Sequence, residues 1–164
     1  MDEAEARRLV DSYADMIVRI GCNYLRERFD AEDVCQTVFL KYLSEKRAFE
    51  SRAHEKAWII RTTINICKNH LKSAFVRHTI PLEAAGEVPA FPEQTAELPE
   101  AMKILPENYR ITLYLYYFEG YSVKEAALIL RQRENTVSAW LSRGRKRLRQ
   151  ILSEEAKGAL RHER

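Results

Sequence analysis

The sequence predicts an all-α protein, with two helical domains at residues 1–78 and 100–164 and a linker at 79–99. Apolar residues recur at helical spacing in both outer segments, and no segment alternates convincingly like a β-strand. Residues 79–99 differ in composition, because they hold four of the five prolines and no Lys or Arg. Such a proline-rich, acidic stretch is typical of a tether between domains. The second domain is predicted to contain a helix-turn-helix.

The first helix is predicted over residues 4–28, where one apolar stripe runs along the segment. Its members are Leu9, Tyr13, Met16, Ile17, Ile20 and Tyr24. This spacing places all six side chains on one face of a helix, and we expect that face to form the core of the first domain.

The second helix is predicted to begin at Asp30, a suitable N-cap residue that is followed three positions later by Asp33, as in a capping box. Paired apolar residues then repeat every four positions and predict a wide apolar band. The pairs are Val34/Cys35, Val38/Phe39 and Tyr42/Leu43. A loop around residues 50–53 is expected to end this element.

The third helix is predicted near residues 54–75 and carries two different faces. Its apolar stripe consists of Ile60, Ile64, Cys67 and Leu71, with Trp58 in or near the core. Beside this stripe lies a column of cations and amides, formed by Arg61, Asn65, Lys68, Asn69 and Lys72. In such a column the cations can hold a phosphate backbone while the amides bond the edges of an unstacked base. The same column is also compatible with an ordinary solvated face.

Helices are predicted to resume near Glu100 and again at Pro106, because proline suits the first turn of a helix. Ser122 is a good N-cap for the next helix, with Glu125 three residues on. The apolar face of that helix consists of Val123, Ala126, Ala127 and Leu130. A turn of about four residues separates it from a basic helix, so residues 122–149 are predicted to form the helix-turn-helix.

The basic helix of this motif has two sides. Its inner side is predicted to consist of Val137, Leu141, Gly144 and Leu148. The opposite side and the preceding turn carry short polar or cationic side chains, which suit a helix that enters the major groove. These candidates for duplex binding are Arg133, Asn135, Ser138, Ala139, Ser142, Arg143 and Lys146.

Charge is distributed unevenly along the chain. Residues 106–164 contain twelve Lys or Arg against seven Asp or Glu, and residues 56–77 contain five cations and no acid. This asymmetry favours two phosphate-facing patches and DNA as a partner. No apolar run reaches membrane-spanning length and the N-terminus is unlike a secretory signal, so we expect a cytoplasmic protein without membrane insertion.

The cysteines and histidines give little support to catalysis. Cys22, Cys35 and Cys67 form no C-x-x-C pair, so neither a disulfide framework nor a zinc ribbon is indicated. The sequence contains neither H-E-x-x-H nor a Gly-rich phosphate loop. We therefore expect no metal, no cofactor and no enzymatic activity. The enzyme hypothesis that stays open pairs Cys67 with His70, or His54 with Glu55.

Three segments together carry a family resemblance. Residues 30–43, DAEDVCQTVFLKYL, are similar to an acidic D-A-E-D-x-x-Q-x-x-F helix, and residues 57–65, AWIIRTTIN, to an A-W-L-x-R-I-A-x-N segment. Leu105–Pro106, the FEGYS sequence at 118–122 and the helix-turn-helix follow in the same order. Over about residues 5–152 the chain resembles the small two-domain sigma factors of the bacterial sigma-70 family, known as extracytoplasmic function (ECF) sigma factors.

The resemblance implies a sigma factor that binds bacterial core RNA polymerase and directs promoter-specific transcription initiation. It implies that the coiled coil of the β′ subunit would meet Asp30, Glu32, Asp33, Gln36 and Phe39. The column at 61–72 would meet the melted promoter element near the start site, and residues 133–146 would face the upstream duplex element. The resemblance further implies contact with the β subunit and an anti-sigma factor as a candidate partner.

Two residues depart from the family pattern. Arg131 stands in the helix-turn-helix turn, where the family usually has glycine, and is expected to adopt a left-handed conformation at a cost of about 1 kcal/mol. Trp140 stands on the recognition helix in place of a residue that is usually cationic. We expect its ring to pack inward rather than to stack on DNA.

Two non-enzymatic alternatives remain. A stand-alone helix-turn-helix regulator would bind duplex DNA as a dimer without polymerase, although residues 1–78 lack the strand and helix alternation of a receiver domain. A helical adaptor protein would carry the same basic patches as solvated faces only.

Overall fold

The computed structural model describes residues 2–25, 27–76 and 98–162. Within these ranges the chain is built from helices without any strand, and it divides into two compact units. This confirms the predicted all-α class with two helical domains. The predicted linker at 79–99 lies, apart from its last two residues, outside the described residues, so the domain bounds stay a prediction. None of the described helices is long and apolar enough to cross a bilayer.

The described part of the first unit consists of three helices, α1 (Glu3–Leu25), α2 (Arg28–Glu45) and α3 (Arg52–Val76). All six residues of the predicted α1 stripe are at most 7% exposed. Ile60, Ile64 and Cys67 of the α3 stripe are buried as well, and Trp58 is half-buried. The apolar periodicity of α1 and α3 therefore located the core correctly.

Small residues set the distance between α1 and α2. A Cβ atom added to Gly21 of α1 would lie 2.8 Å from the Cβ of Ala31 in α2, and Ala31 itself is fully buried. Real Cβ atoms do not approach so closely, because interiors are packed at crystal-like density. Gly21 therefore allows the two helices to touch at this point.

The prediction that Asp30 is the N-cap of the second helix is wrong. The helix begins two residues earlier, at Arg28, after Glu27 in an extended conformation. Arg28 Nε pairs with Glu32 Oε1 at 3.0 Å, an i,i+4 contact that supports this first turn. Asp30 lies within the turn, where a negative charge is favourable near the positive end of the helix dipole.

The apolar band of α2 is narrower than predicted. Val34, Cys35 and Val38 are buried, but Phe39 is half-buried and Leu43 is 41% exposed. The helix α2 packs on α1 and α3 along one side only, so Phe39 and Leu43 lie at the edge of this contact and are partly open to solvent.

The connection between α2 and α3 spans residues 46–51. It leaves α2 through Lys46, whose φ of 45° lies in the left-handed region. It enters α3 through Ser51, whose Oγ accepts a hydrogen bond from the backbone N–H of His54 at 3.1 Å. This side chain acts as an N-cap, so α3 begins at Arg52 rather than near His54.

Residues 98–162 of the second unit form four helical elements. These are α4 (Leu98–Ile104), α5 (Glu107–Leu113) with a π-helical turn at Tyr114–Phe118, α6 (Val123–Leu130) and α7 (Glu134–His162). Its core contains Met102, Leu105, Leu113 and Leu141. A Cβ atom on Gly144 of α7 would lie 3.2 Å from the Cβ of Tyr109, so glycine allows α7 to approach α5 closely.

The helix-turn-helix is formed by α6 and α7. The predicted capping box is confirmed: Ser122 Oγ accepts from the backbone N–H of Glu125 at 3.2 Å, and the Glu125 carboxylate accepts from the N–H of Ser122 at 2.8 Å. The turn contains three residues rather than four. Arg131 opens it in the left-handed conformation, with φ 54° and ψ 44°, as expected for a position where glycine would be unstrained.

Candidate nucleic-acid interfaces

The predicted column lies along one side of α3. Asn65, Lys68, Asn69 and Lys72 are exposed and Arg61 is half-buried. The buried residues Ile60, Ile64 and Cys67 face the core instead. The structure therefore brings all five predicted residues onto the solvent side of one helix, with cations and amides interleaved.

An aromatic cluster stands at the N-terminal end of this column. The Tyr42 ring stacks on Phe49 with centroids 5.7 Å apart, and its edge meets Trp58 at 5.9 Å. Phe49 and Trp58 are themselves 5.7 Å apart. Trp58 lies one helical turn before Arg61, so the cluster continues the column toward the α2–α3 connection.

A guanidinium group covers part of this cluster. Arg47 lies 5.8 Å from the centroid of the Trp58 ring and pairs with Glu45 at 2.6 Å. Its side chain is 57% exposed. Aromatic faces and an adjacent guanidinium can both stack on unpaired bases. Sequence reasoning missed Arg47 and Phe49, because nothing in the periodicity of α2 or α3 indicates where the connection folds back.

Glu55 ties the three helices of the first unit together. Its carboxylate accepts two hydrogen bonds from Arg8 of α1, at 3.0 and 3.1 Å. It also accepts from the hydroxyls of Tyr13 at 2.7 Å and Tyr42 at 2.6 Å, and from Arg52 at 3.2 Å. Since Glu55 is only 4% exposed, this group of five residues, the Glu55 cluster, forms a buried polar contact between α1, α2 and α3.

The hydrogen bonds determine the ionisation of the Glu55 cluster. Burial alone would raise the pKa of Glu55, but the bonds from Arg8, Tyr42 and Tyr13 outweigh it and lower the pKa to about 2. Burial, together with the bond to this carboxylate, raises the pKa values of Tyr13 and Tyr42 to about 12. Glu55 is therefore an anion at neutral pH, held by fixed donors.

The predicted polymerase-facing residues lie on the outer side of α2. Glu32, Asp33 and Gln36 are exposed, whereas Asp30 and Phe39 are half-buried. The carboxylate of Asp30 lies 3.9 Å from His70 Nε2 of α3.

Sequence reasoning missed two apolar residues on the same side of α2. Phe29 is 72% exposed and Leu40 is 66% exposed, and they share a face with Asp33 and Gln36 at helical spacing. Phe29 and Leu40 are about 16 Å apart along α2, so they are two separate apolar side chains at the ends of the polar face rather than one contiguous patch.

The predicted duplex-binding residues form the outer side of α7 and the turn before it. Six of them are exposed and only Ala139 is half-buried; the six are Arg133, Asn135, Ser138, Ser142, Arg143 and Lys146. Val137, Leu141 and Gly144 are buried on the inner side, as predicted. Trp140 is half-buried, between the two sides.

Part of the basic run serves the fold of the second unit. Arg145 Nη1 donates to the hydroxyl of Tyr117 at 3.2 Å, which links α7 to the π-helical turn. Arg145 is seven residues after Ser138 and three after Ser142, so it lies on the flank of α7 between the buried inner side and the predicted groove-facing residues.

Within the described ranges, no group of three or more His, Cys, Asp or Glu residues is placed to hold a metal ion. The three cysteines are buried, free thiols, and burial raises the pKa values of Cys22 and Cys35 to about 11. Thiols of this kind are mostly protonated at neutral pH and react slowly.

Two family models match the sequences of these surfaces. Residues 9–74 match the model for Sigma-70 region 2, and residues 95–148 match the model for Sigma-70, region 4. The chain belongs to the sigma-70 family. The residues that match region 2 include α2 and the α3 column, and those that match region 4 include the helix-turn-helix. A region 2 sequence at 9–74 disfavours the stand-alone regulator.

Several curated relatives are similar along most of the chain. ECF RNA polymerase sigma factor SigE of Mycolicibacterium smegmatis is 29% identical over 162 residues, which cover 90% of this chain and 62% of that protein. RNA polymerase sigma factor SigV of Bacillus subtilis is 28% identical over 142 residues, 84% of each chain. The sigma-70 family chain described here spans less than two thirds of the length of SigE and of SigM of Mycobacterium tuberculosis.

Solved structures share the fold. The sigma factor RpoE, in complex with the anti-sigma factor NepR from Bartonella quintana, superposes with a TM-score of 0.76 at 20% identity, over 91% of this chain and 97% of that one. CnrH, in complex with the cytosolic domain of CnrY, superposes with a TM-score of 0.62 at 17% identity, over 93% and 90%.

Proposed function

We propose that the chain is an RNA polymerase sigma factor of the ECF type, which directs promoter-specific transcription initiation and has no catalytic activity or cofactor of its own. One observation carries the proposal: an exposed column of cations and amides lies in the part that matches Sigma-70 region 2, and an exposed recognition helix lies in the part that matches region 4. The names of the curated relatives support the same function.

The first unit would hold the melted strand. Lys68 and Lys72 contact the phosphate backbone, while Asn65 and Asn69 bond the edges of an unpaired base. The aromatic cluster beside the column offers ring faces on which a base can stack, at about 1–3 kcal/mol per base. These contacts exist only with single-stranded DNA, so they offset the cost of melting, which is a few kcal/mol per step.

The second unit would read the upstream element as duplex. Asn135, Ser138 and Ser142 face base edges in the major groove, and Arg143 and Lys146 meet phosphates. Each good base contact discriminates against a wrong base by about 1–3 kcal/mol. Melted and duplex DNA are thus read by different units of one chain.

The outer side of α2 would dock on core RNA polymerase. Asp33 and Gln36, with Glu32 and Asp30 beside them, supply acidic and polar contacts to the coiled coil of the β′ subunit. Phe29 and Leu40 add apolar area at the two ends of this surface. Contact with the β subunit belongs to the same proposal.

Two further assignments follow from the family. The superposed RpoE and CnrH structures each contain a protein partner, and in the first it is named as an anti-sigma factor. We propose that an anti-sigma factor also binds the present chain. Since its polymerase and promoter partners are in the bacterial cytoplasm, the chain would act there.

Transcription by reconstituted polymerase tests the proposal. Purified chain is mixed with bacterial core RNA polymerase and a supercoiled plasmid library of genomic promoters, and the 5′ ends of the transcripts are sequenced. Initiation at specific sites that depends on the chain is the expected result. Tight binding to duplex promoters without polymerase, and no added initiation, would support the stand-alone regulator instead.

A further inference from the structure

We propose that Glu55 is a positioning residue for the melted-strand surface: through the hydroxyl of Tyr42 it fixes the aromatic cluster at the end of the α3 column. This inference rests on the proposed function of that column. Glu55 is only 4% exposed and its carboxylate is already bonded within the Glu55 cluster, so its proposed role is to hold other side chains rather than to contact DNA. Its role is to set where the rings of Tyr42, Phe49 and Trp58 stand.

Tyr42 is the physical link between the two groups. Its hydroxyl donates to Glu55 Oε1 at 2.6 Å. The ring of the same residue stacks on Phe49 with an interplanar angle of 20°, and meets Trp58 at 71°. One end of the side chain is thus held by a directional hydrogen bond, and its ring contacts the other two rings of the cluster.

The cluster in turn shapes the α2–α3 connection. Phe49 belongs to this connection and contacts rings on both flanking helices, Tyr42 on α2 and Trp58 on α3. The connection also starts from Lys46 in the left-handed region, a conformation that costs energy for a residue with a side chain. A shift of Tyr42 would therefore move Phe49 and the backbone beside it.

The chemistry of the Glu55 cluster fits positioning better than stability alone. A buried ion cluster adds little net stability over apolar packing of similar volume, since its desolvation is costly. Its hydrogen bonds are directional, and a fully bonded polar network specifies one arrangement of the elements that contribute to it. Here the donors come from α1, α2 and α3, which meet at this carboxylate.

The cluster is reachable by a ligand. A cavity of about 390 Å³ opens beside it, and its lining comprises Tyr42, Arg47, Phe49, Ser51 and Arg52 together with two acidic residues, Glu5 and Glu55. Ring faces and a guanidinium at such an opening are available to a stacked base, and their placement decides whether the base fits.

Two variants separate positioning from general stability. Tyr42→Phe removes the hydrogen bond and keeps the ring, and Glu55→Gln keeps the shape of the side chain and removes its charge. Ile20→Val serves as the control, because Ile20 is fully buried on α1 and belongs to neither group. All variants are compared at a temperature at which circular dichroism shows each to be folded. Should Glu55→Gln fail to fold, Tyr42→Phe carries the test.

Three quantities are measured on reconstituted holoenzyme: affinity for core polymerase, open-complex formation on duplex promoter, and binding to a promoter that carries a pre-melted bubble. We expect Tyr42→Phe and Glu55→Gln to lower open-complex formation and bubble binding by about tenfold, since displaced contacts lose most of their effect. Core affinity should change less than about twofold, and Ile20→Val should match wild type within the same factor.

The position of Trp58 supplies an independent readout. In a Trp140→Phe background, Trp58 is the remaining tryptophan, and its emission should shift in Tyr42→Phe but not in Ile20→Val. Open-complex formation in Tyr42→Phe and Glu55→Gln equal to that of Ile20→Val would overturn the positioning role while leaving the sigma function intact. Failure of wild-type chain to initiate would overturn the proposed function and this inference with it.

Discussion

Glu55 contributes to the stability of the first unit in a way that depends on pH. Its pKa in the folded chain is about 2, below its ordinary value of 4.5. A group with a lowered pKa stabilises the fold fully above the unfolded value, and this contribution is lost as the pH falls from 4.5 toward 2. In urea titrations near pH 7, we expect Glu55→Gln to lower the free energy of unfolding by about 1–3 kcal/mol, because it weakens the charged hydrogen bonds to Arg8 and Arg52, although Arg8 still pairs with Glu5.

The acid dependence provides the control for this prediction. Wild type should lose stability steeply below pH 4.5, whereas Glu55→Gln should lose less over the same range. Glu154→Gln removes an exposed carboxylate from α7 and should retain the wild-type acid slope. Parallel acid slopes for wild type and Glu55→Gln would contradict the assigned pKa.

Arg131 places strain in the turn of the helix-turn-helix. Its φ of 54° is costly for a residue with a Cβ atom and open to glycine. We expect Arg131→Gly to raise the free energy of unfolding by about 0.5–1 kcal/mol, as measured by thermal denaturation. Arg131→Ala retains the Cβ atom and should give no gain, so equal stabilisation by both variants would show that the backbone is not strained here.

Single residues also show what the sequence can and cannot predict. The predicted buried stripe of α1 was correct, because the side of a helix that is buried follows from the local spacing of its apolar residues. The role of Glu55 was missed, because its donors Arg8 and Tyr42 lie 47 and 13 residues away. Partners at such separations are fixed by tertiary packing, which leaves no periodic signal.

At the scale of helices, the contact between α1 and α2 depends on Gly21. An added Cβ atom would meet the Cβ and Cα atoms of Ala31 at 2.8 and 3.1 Å, and the backbone must move to relieve this. We expect Gly21→Ala to lower the free energy of unfolding by about 1–3 kcal/mol in urea titrations. Gly158→Ala in α7 meets nothing within 4 Å and should stabilise by up to about 1 kcal/mol. If Gly21→Ala and Gly158→Ala changed the free energy of unfolding in the same direction, this would contradict the close α1–α2 contact.

The outer side of α2 permits a charge-reversal test of docking. Asp33 is exposed, so Asp33→Arg should leave the circular dichroism spectrum and melting temperature unchanged. We expect the variant to bind core RNA polymerase at least about tenfold more weakly, because a close like-charge contact costs several kcal/mol at an interface. Asp11→Arg makes the same change at an exposed site on α1 and should bind normally. Unchanged affinity in Asp33→Arg would remove the docking assignment.

Element boundaries mark the limit of local sequence signals. Ser122 was correctly placed as an N-cap, since its capping box involves only residues three apart. The prediction of Asp30 as an N-cap was wrong, because α2 already begins at Arg28, where the Arg28–Glu32 pair supports its first turn. The π-helical turn after α5 was not predicted either, since Tyr114–Phe118 carries the same apolar composition as an ordinary helix.

At the scale of the whole molecule, each unit is proposed to bind one form of DNA. Region 2 sequence coincides with the column that suits melted DNA, and region 4 sequence coincides with the helix that suits the major groove. Recognition that is divided between two units of one chain is expected to depend on the distance between the two promoter elements, as for any two-site binder. Composition and order of motifs predicted this organisation, because each unit carries its own motifs. The candidate contacts themselves stay predictions.

Asn65 provides the most direct test of the division between melted and duplex DNA. Holoenzymes that contain wild type, Asn65→Ala or the control Asn108→Ala, an exposed amide of α5, are compared on one promoter. Permanganate reactivity of unpaired thymines reports melting, and a footprint at low temperature reports duplex binding. We expect Asn65→Ala to reduce promoter melting by about tenfold or more while duplex binding stays within about twofold of wild type, since the Asn65 amide is proposed to contact only the unpaired strand. Equal loss in both assays, or no loss of melting, would contradict this division.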